Sequence, residues 1–163
     1  MSRPTLALAL SIAVLAAAPA FAQDHAHGHE HASGPVAGEA AGAALAVDAF
    51  HAALKSGDTA AALALMAADV MIFEEGYVER SREEYASHHL ASDAAFAAAS
   101  ESMVERRSGW ADGDIAWVTS EGRTTGQFNN RPVDRLTTET MVLKRHPDGW
   151  RIHHIHWSSR APG

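Results

Sequence analysis

The stretch that most constrains this chain runs Trp150-Arg151-Ile152-His153-His154-Ile155-His156-Trp157-Ser158-Ser159-Arg160 near the C-terminus. Its β-branched and aromatic residues read as a strand, and on a strand successive side chains alternate between two faces. With an unbroken period of two, Trp150, Ile152, His154, His156 and Ser158 share one face, and His153, Ile155 and Trp157 share the other. A row that passes from large apolar groups to two imidazoles and a hydroxyl describes a sheet floor that leaves a core and enters a polar pocket. The plainer alternative is a half-buried strand that tolerates imidazoles, since His is intermediate in burial.

Upstream of this strand the pattern is sheet from Met103 onward. Strands are expected over Met103 to Gly109, Ile115 to Gly126 and Val133 to Arg145, separated by Ala111-Asp112-Gly113, Phe128-Asn129-Asn130 and Pro147-Asp148-Gly149. Before the sheet the apolar period is helical. Leu45, Val47, Phe50, Ala53 and Leu54 form one broad face, and Ser56-Gly57-Asp58 ends it. Asp58 is placed to cap a second short helix. Val70 to Phe73 and a short return strand follow. Ser81-Arg82-Glu83-Glu84 then has the capping-box spacing that opens a third helix. On that helix Tyr85, His89 and Asp93 stand at i, i+4 and i+8 and stack along one face. Ala94 to Ser100 reads equally as helix or linker. Three helices followed by a long antiparallel meander is an α+β arrangement, with the helices over one face of the sheet.

The N-terminal part carries no fold signal. Arg3, the apolar run Leu6 to Ala18 and Ala20-Phe21-Ala22 have the order of an export signal over residues 1–22. The run is shorter than the roughly 20 residues of a membrane span. Residues 23–39 are expected to be a disordered tail, in which His25, His27, His29 and His31 occupy every second position. A single folded domain over 40–160 remains. The chain of 163 residues has no Cys, so an oxidising periplasmic or secreted location supplies it no disulfide. The net charge is −7, and loss of Arg3 with the signal leaves 12 basic against 20 acidic residues. That balance excludes a nucleic-acid partner, which needs a concentrated basic surface.

The order helix, helix, short hairpin, helix, long strands, closed by Gly149-Trp150-Arg151-Ile152 with His154, His156 and Ser158, resembles the nuclear-transport-factor-2-like superfamily, and its SnoaL-like branch in particular. The resemblance covers Ala40 to Arg160. It implies a cone-shaped domain, with three N-terminal helices packed on a curved antiparallel sheet around a pocket, and a homodimer. It implies no single activity, because such domains serve as isomerases, dehydratases, cyclases and plain binding or assembly modules.

Two places carry chemistry. Pairing the last two strands through a loop over 146–149 sets Arg145 against Trp150, Met141 against His154, Glu139 against His156 and Thr137 against Ser158. The expected pocket then holds Glu139, His154, His156 and Ser158, with Tyr85, His89 and Asp93 reaching it from the third helix and Glu74, Glu75 and Tyr77 at the rim. Two imidazoles and a carboxylate suit a divalent metal, a general base with His154 or His156 as proton acceptor, or a buried hydrogen-bonded cluster that only fixes the sheet or plainly binds a ligand. Arg123 is expected to pair with Glu121 or to meet an anionic ligand.

The second place is the tail. His25, His27, His29 and His31 suit Cu(II), Ni(II) or Zn(II), and cleavage after Ala22 would put His25 third behind a free amine and two amides, a planar nitrogen set that favours Cu(II). One Cu(II) bound through residues 23–31, more tightly than Zn(II), is the expectation. Deleting Gln23 to His31 should abolish tight copper binding in calorimetric titration and leave the melting temperature of the metal-free domain nearly unchanged. Equal affinity with and without the segment would contradict it.

Overall fold

A computed structural model describes residues 36–163. The segment expected to be an export signal and the His-rich stretch with His25, His27, His29 and His31 lie outside the described residues. The packed chain starts earlier than the expected boundary at Ala40. Val36 lies against Gly109, and Gly38–Ala40 form a single 3-10 turn that buries Ala40.

Helix α1 (Ala41–Ser56) buries Ala43, Val47, Phe50 and Leu54, the expected apolar face. It stops at Gly57, whose φ of 76° lets its N–H donate back to the carbonyls of Ala53 and Leu54. Asp58 caps α2 (Thr59–Ala64) by accepting from the Ala61 N–H at 3.0 Å. After β1 (Met66–Glu74) and β2 (Tyr77–Glu79), Ser81 caps α3 (Arg82–His88), accepting from the Glu84 N–H at 3.0 Å. The expected third helix is divided at His89, and α4 (Leu90–Ala99) continues it, so the described residues hold four α-helices where three were expected. The ambiguous Ala-rich run belongs to α4. Alanine's high helix propensity decides it, together with burial of Leu90 and Ala94 against the core.

Strands β3 (Ser100–Asp112), β4 (Ile115–Phe128), β5 (Arg131–His146) and β6 (Gly149–Arg160) form the meander, each longer than expected. Asn129 and Asn130, both at positive φ, close β4 onto β5, the signature of a tight mirror-image turn. The sheet order is β2-β1-β6-β5-β4-β3. It is mixed rather than wholly antiparallel, because β1 runs parallel to β6. The sheet is curved and open, and α1, α3 and α4 pack on its concave face over Phe50, Tyr85, Met66, Met141, Leu143 and Ile152.

One irregularity changes the reading of β6. The β5–β6 ladder begins as expected, with Arg145 against Trp150, and Leu143 faces Ile152. The next pair is Val142 with His154, so His153 is an extra residue, a β-bulge. Beyond it the alternation is inverted. Ile155 is fully buried beside Met141, and Trp157, not His156, stands opposite Glu139. The expected register of Glu139 with His156 and of Thr137 with Ser158 is therefore overturned, and with it the placement of Trp157 and Ile155 away from the pocket.

Candidate functional site

A row of side chains crosses the concave face at one level. Arg107 on β3 pairs with Ser120 on β4, Ser120 with Glu139 on β5, Glu139 with Trp157 on β6, and Trp157 with Glu74 on β1. Residues paired across neighbouring strands point to the same face, and strands lie about 4.8 Å apart, so Glu74 and Glu139 flank the Trp157 indole at a backbone separation of about 10 Å. The row spans a cavity of about 890 Å³ between the sheet, α1 and α4, whose apolar lining includes Leu54, Phe96, Phe128 and Val133.

Helix α1 supplies the roof. Asp48, His51 and Lys55 fall at i, i+3 and i+7 and face the cavity. His51 Nε2 meets Glu139 Oε2 at 2.7 Å, and Trp157 Nε1–H donates to the same oxygen at 2.8 Å. Ser120 Oγ donates to Glu139 Oε1 at 3.4 Å and accepts from Arg107 Nε–H at 3.1 Å, while Asp48 is ion-paired with Arg107. Burial of the Glu139 side chain, which is 9% exposed, works to raise its pKa. The His51 hydrogen bond and charge, the Trp157 hydrogen bond and the Arg107 charge outweigh burial and hold it below the usual carboxylate value. Glu139 is thus an ionised anchor. It fixes the proton of His51 on Nε2 and leaves Nδ1 as the ring's second polar atom.

The opposite wall is built on the other principle. Glu74 at the end of β1 has mostly like-charged neighbours, and burial first, then repulsion from Asp93 and Glu75, pushes its carboxyl up to about 7. Asp93, also lining the cavity, is raised by burial, against the opposing hydrogen bond from Tyr85, whose hydroxyl donates to Asp93 Oδ2 at 2.8 Å. The fully buried Tyr85 phenol is held far above its usual range by burial and by the Asp93 charge. His89 pairs with buried Glu79, and that hydrogen bond, partly offset by burial, raises its pKa.

The residues read from the sequence therefore divide. Glu139, Asp93, Glu74 and Glu75 line the cavity; Tyr85 supports Asp93 from behind, and His89 joins the same cluster through Glu79. Tyr77 is 68% exposed, its ring against His89. His154 and His156 lie on the other sheet face. The His154 ring packs edge-on against Phe73 and its Nδ1 meets the Met71 carbonyl at 3.0 Å, while His156 is exposed. Ser158 is exposed and only borders the cavity. The bulge separates these three from Glu139, so the expected metal or base set of Glu139, His154 and His156 is not assembled. Arg123 pairs with Asp134 through two bonds of 2.7 Å, not with Glu121. Sequence reasoning missed Asp48, His51, Arg107, Ser120 and Trp157. The i, i+3, i+7 polar ridge on an otherwise Ala-rich helix was the one signal that pointed to the first two.

The family model of the SnoaL-like domain matches residues 44–162. The chain belongs to the SnoaL-like family. Among solved structures, this SnoaL-like domain is similar to a candidate ketosteroid isomerase from Shewanella frigidimarina. The identity is 40% and the TM-score 0.69, over 72% of this chain and 94% of that one. It also shares its fold with a candidate dehydratase of the nuclear-transport-factor-2-like family from Streptomyces avermitilis, at 24% identity and TM-score 0.62 over 74% and 96% of the two chains. The hub of calmodulin-dependent kinase II from S. rosetta has the same fold, at 22% identity and TM-score 0.65 over 76% and 98%. No curated protein matches the chain.

The raised Glu74 carboxyl makes a stability prediction for this SnoaL-like domain. Its folded pKa of about 7 lies above the ordinary 4.5, so the folded state holds the proton more tightly, and stability falls as pH rises between those values. Glu74→Gln should raise stability by roughly 1–2 kcal/mol at pH 8, a figure reduced for partial exposure, and change it little at pH 4.5. Thermal melts at the two pH values check this. An equal shift at both would contradict a raised Glu74.

Proposed function

We propose that the cavity is the active site of an enzyme that moves a proton within a small, largely apolar carbonyl compound, an isomerase in the first instance. The observation that carries this reading is the presence in one cavity of two carboxyls shifted in opposite directions: Glu74, raised to about 7, and Glu139, held low and bonded to His51. A general base works best when its pKa lies near the working pH, and Glu74 meets that condition. Environments that push titratable groups apart assign the acid and base roles.

In the proposed reaction the substrate's apolar body lies along Trp157, Phe96 and Phe128. Glu74 takes a proton from the carbon beside the carbonyl, and the electron pair moves into the carbonyl oxygen as a C=C bond forms. In its imidazolium form, with Nε2–H held by Glu139, His51 donates its Nδ1–H to that oxygen. The protonated Glu74 then returns the proton to the far carbon of the allylic system, the carbonyl reforms, and the double bond has moved into conjugation. Glu139 and Trp157 keep His51 in place and do not exchange protons with the substrate. The 40% identity to a candidate ketosteroid isomerase over most of both chains supports the reaction class. The role expected for His154 or His156 as base passes to Glu74, because those two rings face away from the cavity.

Conversion of a bicyclic β,γ-unsaturated ketone to its conjugated isomer, followed by absorbance, is the test. The unmodified protein should turn it over with kcat/KM rising through pH 7. Glu74→Gln should lose about 10²–10⁴ in kcat with the fold intact. Binding of the ketone without turnover would instead support a pure small-molecule-binding domain. Export, homodimer formation and copper capture by the tail are proposed alongside, on the signal-like segment, the family resemblance and the alternate histidines.

A further inference from the structure

Beyond the row of Glu139 and Trp157 the floor of the cavity changes character. Two residues further along the strands, Gly122 on β4 pairs with Thr137 on β5, and Thr137 with Ser159 on β6. One more step along the same face brings Thr124 level with Arg135. By the rise of a strand, the level of Thr137 and Ser159 lies roughly 7 Å from that of Glu139 and Trp157. Arg135 lines the cavity, and its side chain is 40% exposed. It leans back toward Ser159: Nη2–H donates to the Ser159 carbonyl at 3.2 Å and to Ser159 Oγ at 3.1 Å, and Nε–H donates to that hydroxyl at 3.2 Å. Among the described residues Nη1 makes no hydrogen bond.

Three cations line the cavity, and two are engaged by the protein itself. Lys55 donates to the Ser100 carbonyl and to Glu101, and Arg107 is ion-paired with Asp48 and bonded to Ser120. Arg135 differs. Among the described residues the one carboxylate near it belongs to Glu75, at 4.0 Å, beyond hydrogen-bond reach, and Glu75 is 62% exposed. Such a pair contributes little and yields to a better-placed anion. One edge of the guanidinium is fixed by Ser159 and the other is open. A planar, always-charged fork held in this way is organised in advance for a carboxylate.

We propose that the substrate is an apolar keto acid whose carboxylate, at the end away from the carbonyl, is bound by Arg135. The carbonyl end of that substrate rests on the isomerase reading; the carboxylate end rests on Arg135. Arg135 is then a positioning residue that holds the ring system along Trp157 and touches none of the reacting atoms. The alternative is that Glu75 neutralises Arg135, so that this end of the cavity takes neutral groups equally well.

The test uses the full chain and two saturated bicyclic ketones, which cannot isomerise. One carries a carboxyethyl chain on the ring remote from the carbonyl, and the other is its methyl ester. In calorimetric titration the acid should bind at least about tenfold more tightly than the ester, and added salt should narrow the gap. Arg135→Ala should erase the difference by weakening the acid and leaving the ester within about twofold, and Arg135→Lys should keep part of it. Circular dichroism checks the fold of both variants. With the β,γ-unsaturated acid as substrate, Arg135→Ala should raise KM about tenfold at nearly unchanged kcat, as loss of uniform binding does. Equal binding of acid and ester, or a preference that survives Arg135→Ala, would overturn the proposal while leaving any isomerase activity standing. An Arg135-dependent preference for the acid without turnover of either unsaturated ketone would support the carboxylate site and overturn the isomerase reading instead.

Discussion

Between Val142 and Leu143, two adjacent residues of β5, the facing strand β6 carries Ile152, His153 and His154, one residue more than an unbroken ladder accommodates. The extra residue is accommodated because both flanks are fixed by burial. Trp150 and Ile152 enter the core before it, and Ile155 enters after it, each with large apolar surface that a one-residue slip would turn to solvent. Without the bulge, Ile155 and Trp157 could not share a face with Ile152. With it, they do, and Trp157 comes level with Glu139 on one side and Glu74 on the other. The site is a consequence of that single change of parity.

Once the row is set, the two ends of the cavity acquire opposite electrostatic characters from ordinary neighbours. Glu139 is the more buried of the two carboxyls, yet it stays ionised, because His51, Trp157, Ser120 and Arg107 surround it with donors and positive charge. Glu74 is less buried but faces Asp93, Glu75 and Glu79, which repel its charge. Burial acts in the same direction on both groups, so the partners decide the outcome. Tyr85 takes part by spending its hydroxyl on Asp93, which keeps that acid in place beside Glu74.

Much of the fold was legible from local rules. The apolar face of α1, the Asp58 and Ser81 caps and the Asn-Asn turn each rest on chemistry within a few residues, and each is found where the sequence places it. The family resemblance drawn from the closing strand also holds. What failed was non-local. A bulge at His153 is invisible to a strict period of two, so His154 and His156 were assigned the face that belongs to Trp157. The parallel pairing of β1 with β6, which puts Glu74 in the row, depends on how the chain returns after four helices and has no local signature. His51 was passed over because on α1 it stands next to Phe50 in an apolar run, and its partner Glu139 is 88 residues away.

The account rests on Trp157 sharing the concave face with Glu139, and the indole N–H of Trp157 reports it directly. Its ¹H–¹⁵N resonance, assigned by loss in Trp157→Phe, should be protected from exchange and shifted from the solvent-exposed position. It should move when Glu139→Gln weakens the charge-assisted bond, and again when a ketone enters the cavity. A Trp157 indole signal that exchanges freely with water and ignores both the Glu139 substitution and the ligand, while the His154 and His156 ring signals respond to that ligand, would contradict it.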